Sequence, residues 1–147
     1  KDVRVGVIDI QAAVTGTNEW KKEFASFKTK FQKEKLSIAA KEKNLKKLIE
    51  DLNKKSMVLS PELKNKKEEA LIKKKKNFER YVQDKNEDFA KSEKAITSII
   101  LKKMVKIVKD LGESKNFTMI LERKIGLYFD QSVDLTALAI RTYNKTK

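Results

Sequence analysis

Residues 17–111 form one long apolar pattern of helical spacing, without a single glycine. In its first half an apolar residue returns every seven positions, which is the repeat of a coiled-coil seam. The repeating residues are Phe24, Phe31, Ile38, Leu45 and Leu52, and the companion positions hold Trp20, Phe27 and Leu48. Glu34 and Lys41 interrupt the companion positions. We therefore predict a helix that packs against a partner helix, with more apolar contact near its start than near its end.

Pro61, the only proline, divides this pattern near its midpoint. Ser60 is typical of a helix N-cap, Pro61 of the first helical position and Glu62 of an acidic first turn. Since the residue before a proline resists the α conformation, the first helix should end by Ser60. Beyond it, apolar residues return every eleven positions, at Phe78, Phe89, Ile100 and Leu111, with Leu71, Val82 and Met104 beside them. The pattern predicts a long antiparallel helical hairpin with its tip near residues 53–60.

The two ends of the chain carry shorter apolar patterns. Alternating apolar residues from Val3 to Ile8 predict a strand, and Phe117–Leu121 and Leu127–Phe129 predict a second and a third. Residues 11–14 are interpreted as a connector or helical turn. Asp134–Tyr143 predicts a short amphipathic helix capped by Asp134 or Thr136, with Leu135, Leu138 and Ile140 facing inward. Together these elements indicate a small sheet with one helix beside it.

The predicted fold class is therefore α+β, with a small β-sheet body and a long helical-hairpin, or coiled-coil, arm. We assign residues 1–16 and 112–147 to an oligomerisation body, together with helix roots at 17–25 and 95–111. The arm spans 17–111, and Gly112 is expected to end its second helix. Apolar residues between Ile96 and Leu111 cover more than one helix face, so we expect them to be buried against the sheet and against other subunits.

Cysteine and histidine are absent from the chain. This removes the commonest general base and the softest metal ligands, and no acidic pair stands out for acid–base work. We predict that the protein is not an enzyme and that it has no catalytic residue, cofactor or metal site. No apolar run is long enough to cross a membrane. The sequence starts at Lys1 rather than methionine, which indicates a removed signal peptide or a trimmed chain.

The net charge of +14 is concentrated in one region. Between Lys41 and Lys76 there are thirteen lysines and six acidic residues, which gives half of the excess. Lysine suits diffuse attraction rather than paired hydrogen bonding to bases. The lysines either keep a solvated helix face soluble or attract an acidic partner over a long range.

Three consecutive apolar residues, Met57, Val58 and Leu59, lie at the expected tip, and they cannot all face one partner helix. They either close the end of the hairpin or contact a ligand. From the charge and this tip we predict a diffuse client-binding surface. Its residues are Lys41, Lys46, Lys54, Met57, Val58, Leu59, Lys66, Lys73, Lys74, Lys75 and Lys76.

Three stretches of the sequence resemble the Skp/OmpH family of periplasmic chaperones. They are RVGVIDIQAAV at 4–14, NFERYVQDKNEDF at 77–89 and KNFTMILERKIGLYFDQSVDLTALAIRTYNK at 115–145. The resemblance implies a homotrimer in which strands of three subunits form a β-barrel-like body and three arms enclose a cavity. It also implies ATP-independent holding of unfolded outer-membrane proteins in the periplasm, before their insertion into the membrane. The basic arm adds lipopolysaccharide or an anionic membrane surface as a candidate ligand.

Two other functions are compatible with the residues alone. A basic coiled coil also binds nucleic acid through counterion release or lies on anionic lipid. The chain has only four arginines and few aromatics outside its apolar rows, so we expect no nucleic-acid partner. A purely structural coiled-coil spacer is the remaining alternative, and it would bind no unfolded protein.

Overall fold

The computed structural model describes residues 2–146, and most of them lie in two long helices. The elements are β1 Val5–Ile8, α1 Ile10–Thr15, α2 Asn18–Lys55, α3 Pro61–Ser114, β2 Met119–Glu122 and α4 Thr136–Lys145. Two short 3-10 turns, at Arg123–Ile125 and Gln131–Val133, separate β2 from α4. Lys1 and Lys147, at the outer ends of the predicted body, lie outside the described residues.

Contacts divide the described chain into two units. The terminal unit comprises the residues up to Phe27 and those from Ser92 onward, and the middle unit comprises Lys28–Lys91. Both long helices have residues in both units.

Side-chain caps begin both long helices. The hydroxyl oxygen of Thr17 accepts a hydrogen bond from the backbone N–H of Trp20 at 3.1 Å, so Thr17 caps α2. The hydroxyl oxygen of Ser60 accepts from the backbone N–H of Leu63 at 3.3 Å, and Pro61 is the first residue of α3. The break predicted at the proline is therefore confirmed, because the cap and the missing N–H act at the same place.

The end of α3 differs from the prediction. Gly112 does not end the helix, which continues to Ser114. Asn116 instead adopts the left-handed conformation, with φ of 59°. The N–H of Phe117 donates to the carbonyl of Gly112 at 2.9 Å, and the N–H of Asn116 to that of Glu113 at 3.3 Å. This pair of bonds is a Schellman motif, in which asparagine tolerates the backbone angle that glycine usually supplies.

The sheet has two short strands rather than three among the described residues. β1 pairs in parallel with β2, with Val5 opposite Met119. The third strand predicted at Leu127–Phe129 is wrong, because that segment follows a 3-10 turn and has no strand beside it. The N–H of Leu135 donates to the carbonyl of Val7 at 2.7 Å, so the segment before α4 occupies the other edge of β1. The prediction failed because an apolar run alone does not specify a partner strand.

The apolar core lies in the terminal unit, between α3 and the elements from both ends of the chain. Its buried members are Ile8, Ala13, Val14, Ile100, Met104, Ile107, Leu111, Ala139 and Tyr143. Ile99, Leu101 and Val105 are exposed in the single chain, by 57%, 38% and 39%. The elements of one chain therefore cover one face of this α3 segment, and burial of its other apolar residues against other subunits stays a prediction.

The last helix begins later than predicted. α4 spans Thr136–Lys145, and Asp134 precedes it and accepts the N–H of Thr136 at 2.9 Å. Ala139 and Tyr143 are the buried residues of α4, whereas Leu138 and Ile140 are partly buried. Leu135 occupies the N-cap position and makes no side-chain cap hydrogen bond, so neither predicted residue, Asp134 or Thr136, is the N-cap of α4. The inward face is centred on Ala139 rather than on the larger aliphatic residues.

The heptad positions of the middle unit are half-buried rather than buried. Ile38, Leu45 and Leu52 of α2 are shielded to an intermediate degree. Phe31 is 37% exposed, and its ring packs edge-on against Phe89 of α3 at 5.2 Å. No residue of 28–91, all of which the structure describes, is fully buried. The two helical segments of this unit therefore shelter one stripe of each other and leave most side chains in solvent.

Candidate functional site

The two polar residues that interrupt the heptad share one partner in the middle unit. The hydroxyl of Tyr81, on α3, donates a hydrogen bond to the carboxylate of Glu34. The ammonium of Lys41 lies 4.0 Å from the centroid of the Tyr81 ring, a cation–π arrangement. The hydrogen bond to Glu34 raises the pKa of the Tyr81 phenol, because the carboxylate favours the neutral donor. The interruption is therefore a matched polar contact that favours one pairing of the two helices.

Two adjoining apolar recesses follow this contact along the middle unit. One has a volume of about 400 Å³ and lies beside Lys41, Leu45 and Phe78. The other has a volume of about 290 Å³ and lies beside Leu52, Ala70 and Leu71. Leu48 and Lys74 line both recesses. We call the two together the lysine-rimmed groove, whose lysines are Lys41, Lys55, Lys67 and Lys74.

The connection between α2 and α3 presents two of its three apolar side chains to solvent. Met57 is 96% exposed and Val58 is 82% exposed. Leu59 is half-buried and lines the smaller recess of the groove. Leu59 therefore packs at the end of the helices, and contact of the exposed Met57 and Val58 with a ligand stays a prediction.

The predicted site residues fall into two groups in the structure. Lys41, Leu59 and Lys74 lie together around the groove. Lys46 forms an exposed ion pair with Glu42 at 3.8 Å. The others are exposed and outside the groove, namely Lys54, Met57, Val58, Lys66, Lys73, Lys75 and Lys76. A role in binding clients stays a prediction for both groups.

Sequence reasoning missed Lys55, Lys67 and Tyr81. Tyr81 stands three positions after Phe78, so it falls on the same helix face as the eleven-residue row. Lys55 stands three positions after the heptad residue Leu52. This spacing was a usable signal for both residues. Lys67 stands eleven positions before Phe78, so the eleven-residue row was a usable signal for it as well.

A second polar contact joins three helices inside the terminal unit. The carboxylate of Glu19 accepts a hydrogen bond from the hydroxyl of Tyr143, and it also pairs with Lys103 at 3.2 Å. The hydrogen bond from Tyr143 lowers the pKa of Glu19, although partial burial opposes it and Lys103 reinforces it. Burial raises the pKa of Tyr143, and Glu19 adds to this. The contact stabilises the packing of α4 against α2 and α3.

The terminal unit also exposes large apolar side chains. Leu127 is fully exposed and Tyr128 is 80% exposed, in the segment after β2. The full set comprises Val3, Ile99, Leu101, Val105, Met119, Ile125, Leu127 and Tyr128. A soluble chain seldom leaves so many uncovered when it acts alone, so this set is a candidate contact surface. Among residues 2–146 there is no acidic cluster able to hold a metal ion.

Comparison with known proteins identifies the family of this chain. The sequence model of the OmpH-like outer membrane protein family matches residues 4–143. The chain belongs to the OmpH-like family. No curated protein sequence shows a significant match to this OmpH-like chain.

The fold of this OmpH-like protein is shared with a solved structure. That structure is of a proposed outer membrane chaperone (OmpH-like) from Caulobacter crescentus CB15, and the two agree with a TM-score of 0.89. The match covers 98% of this chain and 85% of the other, at 14% sequence identity. At that identity the likeness concerns the fold alone. Within the part of the OmpH-like chain that the structure describes, no helix combines the length and apolarity needed to cross a membrane.

Proposed function

We propose that this OmpH-like protein is an ATP-independent holdase chaperone. It binds unfolded outer-membrane proteins in the periplasm and prevents their aggregation before membrane insertion. The observation that carries the proposal is the middle unit, a pair of helical segments without a single fully buried side chain among 28–91. Such a unit gains little from packing on itself, and it offers apolar and cationic surface to a second chain. Family membership supports the same role.

The chemistry of the surface suits many weak contacts. Lysine side chains provide apolar methylene stems while their ammonium groups stay in water. Exposed Leu36 and Ile72, at 71% and 56%, add isolated apolar contacts in the same unit. Each contact is weak and readily exchanged, so a bound chain is shielded from other chains without a consumed energy source. This is a binding role, and we propose no catalytic step.

The helices of the middle unit are proposed to form an antiparallel hairpin arm. Phe31 packs on Phe89, Glu34 pairs with Tyr81, and Leu48 and Lys74 line the same recesses. As the residue number increases along α2, the residue number of its contact partner on α3 decreases. This ordering supports a chain that turns back on itself between Lys55 and Pro61.

The terminal unit is proposed to assemble into a homotrimer with a β-barrel-like core. Two strands of four residues each are too small a sheet to be stable alone. The exposed apolar side chains of α3, β2 and the segment after β2 support burial against other copies. Sedimentation equilibrium should give three chains per particle. A folded monomer that persists at micromolar concentration would contradict this assembly.

The holdase proposal is tested by dilution of a denatured outer-membrane β-barrel protein. With the chaperone present and without ATP, light scattering should stay near its baseline. A soluble helical protein of similar net charge serves as the control and should not suppress scattering. If scattering rises equally in both samples, the holdase proposal fails, and the structural-spacer alternative is favoured.

An anionic lipid surface or lipopolysaccharide is a second proposed partner. The observation that favours it is the exposure of Met57 and Val58 close to Lys54 and Lys55. Apolar side chains that enter the headgroup layer and lysines that approach anionic lipid reinforce each other. Binding to phosphatidylglycerol vesicles should weaken in Met57→Ser, and vesicles of phosphatidylcholine should bind little. Equal binding to both vesicle types would contradict the proposal.

A further inference from the structure

The lysine-rimmed groove differs from the rest of the middle unit in its shape. Four lysines lie around recesses that Leu45, Leu48, Leu71 and Phe78 also line. Among the residues that line the recesses, Asp51 is the only acidic one. The groove therefore combines apolar lining residues with a net positive charge at its edge.

The charge of the rim selects the ligand. A site with four lysines and one carboxylate favours an occupant that carries negative charge beside an apolar group. Asn44 and Asn77 line the larger recess, and their amides can donate to and accept from peptide groups. Both asparagines are exposed, so their amides can pair with the peptide groups of an extended polypeptide, whereas an acyl chain offers them no partner. The lining therefore fits a peptide better than a lipid tail.

We propose that the lysine-rimmed groove binds a short extended segment of an unfolded polypeptide, in which an aromatic or branched apolar side chain is flanked by carboxylates. The apolar side chain enters the recess beside Leu48 and Leu71, and the carboxylates lie near Lys67 and Lys74. The inference rests on the proposed holdase function, because it names one preferred contact within an otherwise diffuse surface. Under this proposal, the groove binds client segments that contain both carboxylates and an apolar side chain in preference to other segments.

Matched substitutions on α3 test this proposal. Ala70 lines the smaller recess and is exposed, so Ala70→Trp fills the recess without removing a packed side chain. Ala90 is an exposed alanine of the same helix that does not line the groove, so Ala90→Trp is its control. Lys74 lines both recesses and Lys75 lines neither, so Lys74→Glu and Lys75→Glu change the net charge equally.

The probe is a fluorescein-labelled unstructured peptide with one phenylalanine between glutamates, and anisotropy gives its Kd for the full chain. Ala70→Trp should weaken binding about tenfold, the effect of one apolar side chain that can no longer be buried. Ala90→Trp should leave the Kd unchanged. Lys74→Glu should weaken binding severalfold more than Lys75→Glu. Equal effects within either pair would overturn the groove as a site.

A second measurement keeps the test independent of how the variants fold. In the wild-type protein, the peptide should shift the methyl NMR signals of Leu48 and Leu71 and leave that of Leu36 unchanged. Equal shifts at all three residues would overturn the proposal, and so would displacement of the peptide by a monomeric anionic lipid bound in the groove. If these results overturn the groove but the wild-type protein still suppresses aggregation, only the groove proposal fails. If the wild-type protein does not suppress aggregation, the proposed holdase function fails.

Discussion

The terminal and middle units both contain parts of α2 and α3, but the side chains of these helices are buried to different degrees in the two units. In the terminal unit, α1, α4 and β1 cover α3, and Ile100 and Met104 are 1% and 0% exposed. In the middle unit each helix meets only the other, and the seam residues stay half-exposed. The difference teaches that helix formation alone does not determine how deeply side chains are buried here. Burial depends on how much additional structure covers the apolar stripe of each helix.

The largest expected effect is on the core of the terminal unit. Ile100→Asp places an unpaired carboxylate in the apolar cluster that includes Met104 and Tyr143, at a position that is 1% exposed. The free energy of unfolding should fall by about 4 kcal/mol or more, enough to unfold a marginal domain. Urea denaturation followed by circular dichroism measures this. Lys102→Asp, at an exposed position of the same helix, is the control, and an equal loss there would contradict the assigned core.

A matched pair of truncations compares the two units directly. Ile100→Ala leaves a cavity in a packed core and should cost about 2 to 5 kcal/mol. Ile38→Ala removes a half-exposed side chain from the seam of the middle unit, so the loss of buried area is smaller. We expect about 1 kcal/mol there. Similar losses from the two truncations, measured by urea denaturation, would show that the units are packed alike.

A smaller effect is expected from the polar contact in the terminal unit. Tyr143→Phe keeps the buried ring and removes its hydrogen bond to Glu19. Because Lys103 still pairs with Glu19, the carboxylate keeps one partner, and the loss should be about 1 kcal/mol. Thermal unfolding measures it. Tyr128→Phe, at an exposed tyrosine, should leave the melting temperature unchanged. A melting temperature unchanged in Tyr143→Phe as well would show that the contact contributes nothing.

The same contact gives a weak pH dependence. The Tyr143 hydrogen bond lowers the pKa of Glu19 in the folded state below its ordinary value of 4.5. The stability that Glu19 contributes is therefore fully present above that ordinary value, and it is lost as pH falls through the lower folded value. In a titration of unfolding midpoints, Glu19→Gln should show a shallower loss of stability in acid than wild type. Parallel curves for the two proteins would refute the assignment.

The elements that the sequence predicted correctly are those with a local cause. A proline, its cap at Ser60 and a seven-residue repeat specify the helices of this chain without reference to distant residues. The half-buried and buried rows of α3 likewise follow the predicted eleven-residue spacing, from Phe78 to Leu111. These features depend on backbone chemistry and helical geometry alone.

The incorrect predictions concern features that depend on distant partners. A strand at Leu127–Phe129 requires a neighbour, and the single chain supplies none. The end of α3 was assigned to Gly112 because glycine is the usual residue there, although Asn116 adopts the required left-handed angle. The groove was missed for a related reason. Its members come from two segments, one on α2 and one on α3, and no local pattern reveals which residues of the two face each other.

Hydrogen–deuterium exchange of the wild-type protein, with and without an unfolded outer-membrane protein, tests most directly whether the loosely packed middle unit binds clients. Without client, amides of residues 41–76 should exchange fast, and those of Val5–Ile8 and of residues 100–111 should exchange slowly. With client, exchange should slow within 28–91 and stay unchanged in the buried core. Uniform protection before client is added, or client protection confined to the terminal unit, would contradict the account.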